Sequence, residues 1–155
     1  MSTTHEDPTR VYTSEERAWL PLPGIPKGEA WINVIHADEQ LGKVVFRFRF
    51  GPGCELVPHT HRCHAIAYTI SGEWEYEGLK LPTGAIAYEP VESVHTPSSE
   101  PGAELVVVLS SDTQEFLINH MPDGTDIPFD IGFFKQLEGM TPEQANELAE
   151  QMGLT

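Results

Sequence analysis

The sequence predicts an all-β domain, a sandwich or barrel of short strands, followed by one short C-terminal helix. Three observations carry this. Gly42–Phe50 alternates cleanly, with Val44, Phe46, Phe48 and Phe50 on one face and Arg47 and Arg49 on the other, the period of a half-buried strand. Strand-length apolar runs recur between Gly- and Pro-bearing turns at roughly 8–12-residue intervals, as in sandwiches and barrels. Only the segment after Gly139 has a helix start, stripe and stop.

The elements follow in order. Residues 1–28 read as an arm: a polar stretch ends in Trp19-Leu20, and PLPGIPKG holds three prolines and two glycines, too many breakers for regular structure. Trp31–Ala37 is rich in strand formers, and Gly42–Phe50 follows until Pro52 and Gly53 interrupt it. A long β run covers His64–Tyr76, with Trp74 and Tyr76 on one face and Glu73, Glu75 and Glu77 on the other. The acidic face is expected in solvent, where it also discourages edge pairing. Ala85–Pro90, Glu104–Ser110 and Gln114–Met121 are further strands. The expected barrel is 29–121, and 122–155 is a C-terminal helical extension. Phe133–Leu137 supplies one helical turn. Thr141-Pro142-Glu143-Gln144 then combines a Thr cap, a first-turn Pro and a capping Gln. Ala145, Leu148, Ala149 and Met152 make one narrow apolar stripe, and Gly153 ends it.

Composition bounds the function. A chain of 155 residues is one domain by length. With 24 acidic against 9 basic side chains, the net charge is −15, which argues against a nucleic-acid backbone and an anionic membrane surface. No stretch has the length and apolarity of a transmembrane helix. The N-terminus lacks the basic-then-apolar order of a signal peptide, and Cys54 and Cys63 cannot build a disulfide scaffold. The expected location is cytoplasmic.

The chemistry lies in the histidines. Of seven, three fall in His59-Thr60-His61-Arg62-Cys63-His64. Side chains two apart in a strand share a face, so His59 and His61 form half of a transition-metal site. His95 lies far enough on for another strand to bring it alongside. His64 has the opposite parity: a ligand if the chain bends at Arg62-Cys63, and otherwise a pocket residue. Cys63 has the parity of His61 and reads as a small buried thiol or a thiolate ligand. His5, His36 and His120 read as surface or structural residues.

The stretch Gly53-Cys54-Glu55-Leu56-Val57-Pro58-His59-Thr60-His61 resembles the opening of the first cupin motif, with Gly72 where that motif closes. Gly84, Pro90 and His95 resemble the second motif. The local wording is similar to 2,4'-dihydroxyacetophenone dioxygenase-like and ChrR-like cupins. This covers residues 51–97 by motif and 30–121 by strand pattern; beyond Ser111 the likeness fades. The resemblance implies a cupin barrel, a double-stranded β-helix or jelly roll, with one divalent metal per chain held by His59, His61 and His95. Fe(II) is favoured, with Zn, Ni or Mn as alternatives. It also implies a homodimer and a small-molecule substrate.

Two departures stand out. The usual glutamate of the first motif would fall at Ala65, and a glycine of the second is Glu92. Loss of that glutamate implies a three-histidine centre, as in cupin dioxygenases acting on β-diketones, thiols and hydroxyacetophenones. The expected function is an Fe(II) dioxygenase acting on a small carbonyl or enolisable substrate. The alternatives are a non-oxidative Zn, Ni or Mn lyase, hydrolase or isomerase, and a non-catalytic ligand-sensing cupin. Arg47 and Arg49 are candidates to bind a carboxylate or enolate if their face lines the barrel; if the phenylalanines form the core, they are solvated. Tyr68 and Tyr88 are candidate hydrogen-bond donors to substrate, or core rings.

Overall fold

Strand alternation decides which side chains meet inside. The computed structural model describes residues 7–13 and 16–154; His5 lies outside them. In chain order the strands are β1 (Leu20–Pro21), β2 (Ala30–Asp38), β3 (Lys43–Phe50), β4 (Cys54–Glu55), β5 (His59–His61), β6 (His64–Tyr76), β7 (Leu79–Pro82), β8 (Ile86–Glu89), β9 (Val94–His95), β10 (Ser98–Ser99), β11 (Ala103–Ser110), β12 (Glu115–His120) and β13 (Asp126–Asp130). Two helices end the chain, α1 (Ile131–Leu137) and α2 (Pro142–Gln151).

Two curled antiparallel sheets face each other. The larger runs β1-β2-β3-β11-β6-β10-β4, with β7 and β8 also paired to β6, and the smaller runs β13-β12-β5-β9. In β3 the phenylalanines and Val44 are buried, whereas Arg49 is exposed and Arg47 half-buried. The core therefore belongs to the phenylalanine face. Trp74 and Tyr76 are buried too, at 4% and 6% exposure. On β6 and β8 the inward positions are small, at Ala65, Ala67 and Ala87. They leave open the space that Phe46, Phe48 and Trp74 do not fill.

Gly72 sits where β6 bends between its partners. Its φ is +73°, and a Cβ there would lie 2.0 Å from the Gly102 carbonyl oxygen. Only glycine takes that conformation against that neighbour without a shift. The bend lets the first half of β6 pair with β11 and β8, and the second half with β7 and β10.

The segment expected to be helical, 122–155, opens instead with strand β13, which pairs with β12. Likewise the arm contributes β1, which pairs with β2. Helix α1 buries Phe134 completely, against Phe46 and Phe116 at ring-centre distances of 5.8 and 5.7 Å. Helix α2 has the predicted cap: the Thr141 hydroxyl accepts from the Gln144 N–H, and the Gln144 side chain accepts from the Thr141 N–H. Its stripe packs toward β1. Among the described residues, no helix is long and apolar enough to cross a membrane.

Candidate metal centre

Strand β5 lies between β12 and β9. Its period of two turns His59 and His61 to the same side, and their Nε2 atoms are 3.1 Å apart. The β5–β9 register sets His95 directly opposite His59. The Ser93 carbonyl accepts from the His61 N–H at 2.8 Å, which ties the β9 loop to β5. The three expected histidines thus meet at one place.

A fourth donor joins them that the sequence reading missed. Glu89 Oε2 lies 3.1 Å from His61 Nε2 and 3.1 Å from His95 Nε2. His61 is 4% exposed and Glu89 5%. Across the β6–β8 ladder Glu89 pairs with Ala65, the position where the first cupin motif would carry its glutamate. The carboxylate is present, but it comes from the neighbouring strand. The group whose donor atoms all lie close to one another is therefore His61, Glu89 and His95, with His59 Nε2 beside His61 Nε2 at 3.1 Å, rather than three imidazoles alone. One signal could have found Glu89. In AIAYEP it shares parity with Ala87, so it is an acid in phase with a core position, where a carboxylate needs a partner.

The donor set fits a cation. His95 Nε2 is buried without a hydrogen-bond partner although the carboxylate is beside it, so the approach is not that of an N–H donating to an oxygen. Donor atoms at right angles around a metal, each about 2.1 Å away, stand about 3.0 Å apart; the contacts here are 3.1 Å. Desolvation, followed by the neighbouring His61 and His95, pushes His59 down to about 3. It is neutral at physiological pH, with a lone pair to give. Burial pushes the Cys63 thiol up to about 12, so it is an inert, fully buried core residue. The donor set of His59, His61, His95 and Glu89 suits Fe, Zn, Ni or Mn.

Outer contacts brace the centre. The Tyr76 ring lies 4.0 Å from the His95 ring. Thr60 faces away from the site and contacts His120 Nε2 at 2.7 Å, and His120 Nδ1 lies 2.8 Å from Asp126 Oδ1. This chain staples β5 to β12 and β13, consistent with a structural His120. Glu92, at the second-motif glycine position, has φ +74°. It is held there by Arg62 at 2.6 Å, and its N–H donates to the His61 carbonyl.

The other candidates lie on the opposite side of the sheet. His64 is exposed and its Nδ1 meets the Tyr88 hydroxyl at 3.1 Å; the chain does not bend enough at Arg62-Cys63 to bring it to the histidines. Tyr68 and Tyr88 are 43% and 66% exposed, so neither is a core ring. Arg49 stacks over Trp19 at 4.1 Å and pairs with Glu104 at 2.7 Å, which fastens the arm to the barrel exterior. Arg47 shares this outer face. The cause is common to all five: the phenylalanines and alanines took the inner parity.

The cavity beside the centre has a volume of ≈ 110 Å³, room for a small ligand group. Phe46, Phe48, Leu105 and Val107 line it, and His59, His61 and Glu89 stand in its wall. The Trp74 indole N–H is already given to the Thr69 hydroxyl at 2.8 Å.

A curled β-barrel with histidines of β5 and β9 and a carboxylate of β8 converging inside it defines a cupin with a candidate metal site. The chain belongs to the ChrR cupin-like family, whose domain matches residues 8–112. It is similar to a cupin-fold protein of unknown function from Ralstonia eutropha JMP134, with 26% identity over 97% of this chain and 91% of that one and a TM-score of 0.71. An acetylacetone dioxygenase from Acinetobacter johnsonii shares the fold at 13% identity over 88% and 95% of the two chains, with a TM-score of 0.71. A polyketide cyclase from Streptomyces resistomycificus does so at 16% identity over 67% and 80%, with a TM-score of 0.56. No curated protein matches the chain.

Proposed function

We propose that this protein is an Fe(II)-dependent dioxygenase acting on a small, neutral, carbonyl or enolisable substrate. The observation that supports it most is that His59, His61 and Glu89 stand in the wall of a largely apolar cavity, with His95 beside Glu89. Iron held by His59, His61, His95 and Glu89 supplies Lewis acidity and one-electron chemistry toward dioxygen. The chain's own residues do the rest. Three imidazoles and one carboxylate would leave positions open for substrate and dioxygen. Phe46, Phe48, Leu105 and Val107 hold the apolar body of the substrate and exclude water. Because the Trp74 N–H is committed to Thr69, the substrate's oxygen is oriented mainly at the metal centre. A charged substrate is disfavoured, since Arg47 and Arg49 lie outside the cavity.

A second reading draws support from Glu89. A buried carboxylate beside two imidazoles can also act as a general base for proton abstraction next to a zinc-polarised carbonyl. Anaerobic purification, elemental analysis and oxygen-uptake traces with β-diketones and hydroxyaryl ketones test both. About one iron per chain with oxygen uptake supports the dioxygenase. Zinc with substrate turnover and no uptake supports the lyase or isomerase.

A further inference from the structure

A second apolar compartment adjoins the first. It lies between α2 and the barrel and has a volume of ≈ 80 Å³. Leu148, Ala149 and Met152 of α2 form its roof, Phe129 and Phe133 one side, and the Pro21–Ile25 segment another. The two spaces share Leu22, Ile32, Leu56, His59, Asn119 and Phe129. One face of His59 is thus on the path between them. On that shared wall the polar side chains are His59, turned to the metal centre, and Asn119, whose Nδ2 donates to the Ile127 carbonyl at 3.1 Å.

We infer that this compartment takes the apolar arm of the substrate, an alkyl or aryl chain running past His59 and under α2 while the carbonyl end lies at the metal centre. This rests on the carbonyl reading above. The ligand class follows from the lining. A polar or charged arm would lose its hydration for walls of Leu, Phe, Met and Ala with no donor to replace it, whereas each buried methylene gains from leaving water. The wall shared with the metal-site cavity selects the occupant: an arm attached to a head group in the first space lies next to the second. It also assigns a use to the α2 stripe. The helix roofs a binding space as well as packing on β1, and the length of arm accepted is set by Ala145 and Leu148, which the stripe presents to it.

The test measures dissociation constants by calorimetry, anaerobically, on the Fe(II)-loaded full chain with linear alkyl ketones of increasing length. The matching alkylbenzenes are titrated against metal-free protein. Affinity is expected to rise about fourfold per added methylene until the compartment is full, in both series. Ala145→Trp should abolish that dependence while leaving the shortest ketone bound as before. Leu148→Ala, which frees space and carries less folding risk, should shift the preferred length upward by one or two carbons. Ketone binding without length dependence, or length dependence unmoved by both variants, overturns this inference and leaves the proposed function standing. Length-dependent alkylbenzene binding that both variants alter, with ketones no tighter than alkylbenzenes, overturns the carbonyl reading and keeps the compartment. Failure of both series to bind overturns both.

Discussion

Glu89→Gln separates two accounts of the four-residue cluster. If the carboxylate serves a cation and its imidazole neighbours carry no charge, the metal-free protein holds a buried negative charge with nothing to balance it. Removing that charge while keeping its shape should leave the metal-free protein at least as stable, since a buried unpaired ion costs several kcal/mol. Metal affinity should fall by about 100-fold, the upper end for groups that tune a metal site without ligating it and a lower bound for a ligand. That is about 2.7 kcal/mol of linked stabilisation, or roughly 5–10 °C off the metal-induced rise in Tm for a domain of this size. Chelator-competition titration gives the affinity, and thermal unfolding with and without metal gives the stability. If Glu89 instead pairs with protonated His61 or His95, the sign reverses. The metal-free variant would then lose about 3–5 kcal/mol and metal affinity would barely change, which would refute the metal-centre assignment.

Four further outcomes are expected. Ala65→Glu sets a second carboxylate across the ladder from Glu89 and should destabilise the metal-free protein by about 2–4 kcal/mol; joined to Glu89→Ala it should recover metal binding, which a chelator titration reads. Glu92→Gly relieves a left-handed φ of +74° at the cost of an exposed ion pair with Arg62 and should stabilise by about 0.5–1 kcal/mol, seen as a higher urea midpoint. His59 has its folded value depressed to about 3 from 6.5, so the unfolded chain takes up the proton first; metal-free stability should fall as pH drops from 6.5 toward 3, and His59→Gln should flatten that slope in urea titrations across the range. Ile66, Tyr68, Ile86 and Tyr88 form a contiguous exposed patch by direct cross-strand pairing, free of acid on a chain of charge −15. If a second copy docks there, where it meets least repulsion, Ile86→Lys with Tyr88→Lys should lower the mass seen in sedimentation equilibrium.

What could be read from the sequence was local. The alternation of β3, the extent of β6, the cap of α2 and the shared face of His59 and His61 all depend on residues a few positions apart. His95 was reachable because its spacing repeats a family pattern. Glu89 was not, because its role depends on a ladder partner 24 residues away and on Ala65 being small. Parity sorted Arg47, Arg49, His64, Tyr68 and Tyr88 into sets but did not say which set faces inward. That was decided by volume: three phenylalanines and three alanines fill one side of the sheet, and the longer polar groups go to the other. Strand β13 escaped notice because Asp126-Ile127-Pro128-Phe129-Asp130 carries a proline, which sits at the sheet edge where its missing N–H costs little.

The cross-strand origin of the carboxylate has a consequence for folding. Glu89 reaches the histidines only in the register that sets it opposite Ala65, and His95 only in the register that sets it opposite His59. A slip of β8 by one residue would turn Glu89 to solvent and bring Tyr88 inside. The donors therefore mark the register of two strand pairs, β6–β8 and β5–β9: a cation bound by them would favour the aligned strands over the slipped ones.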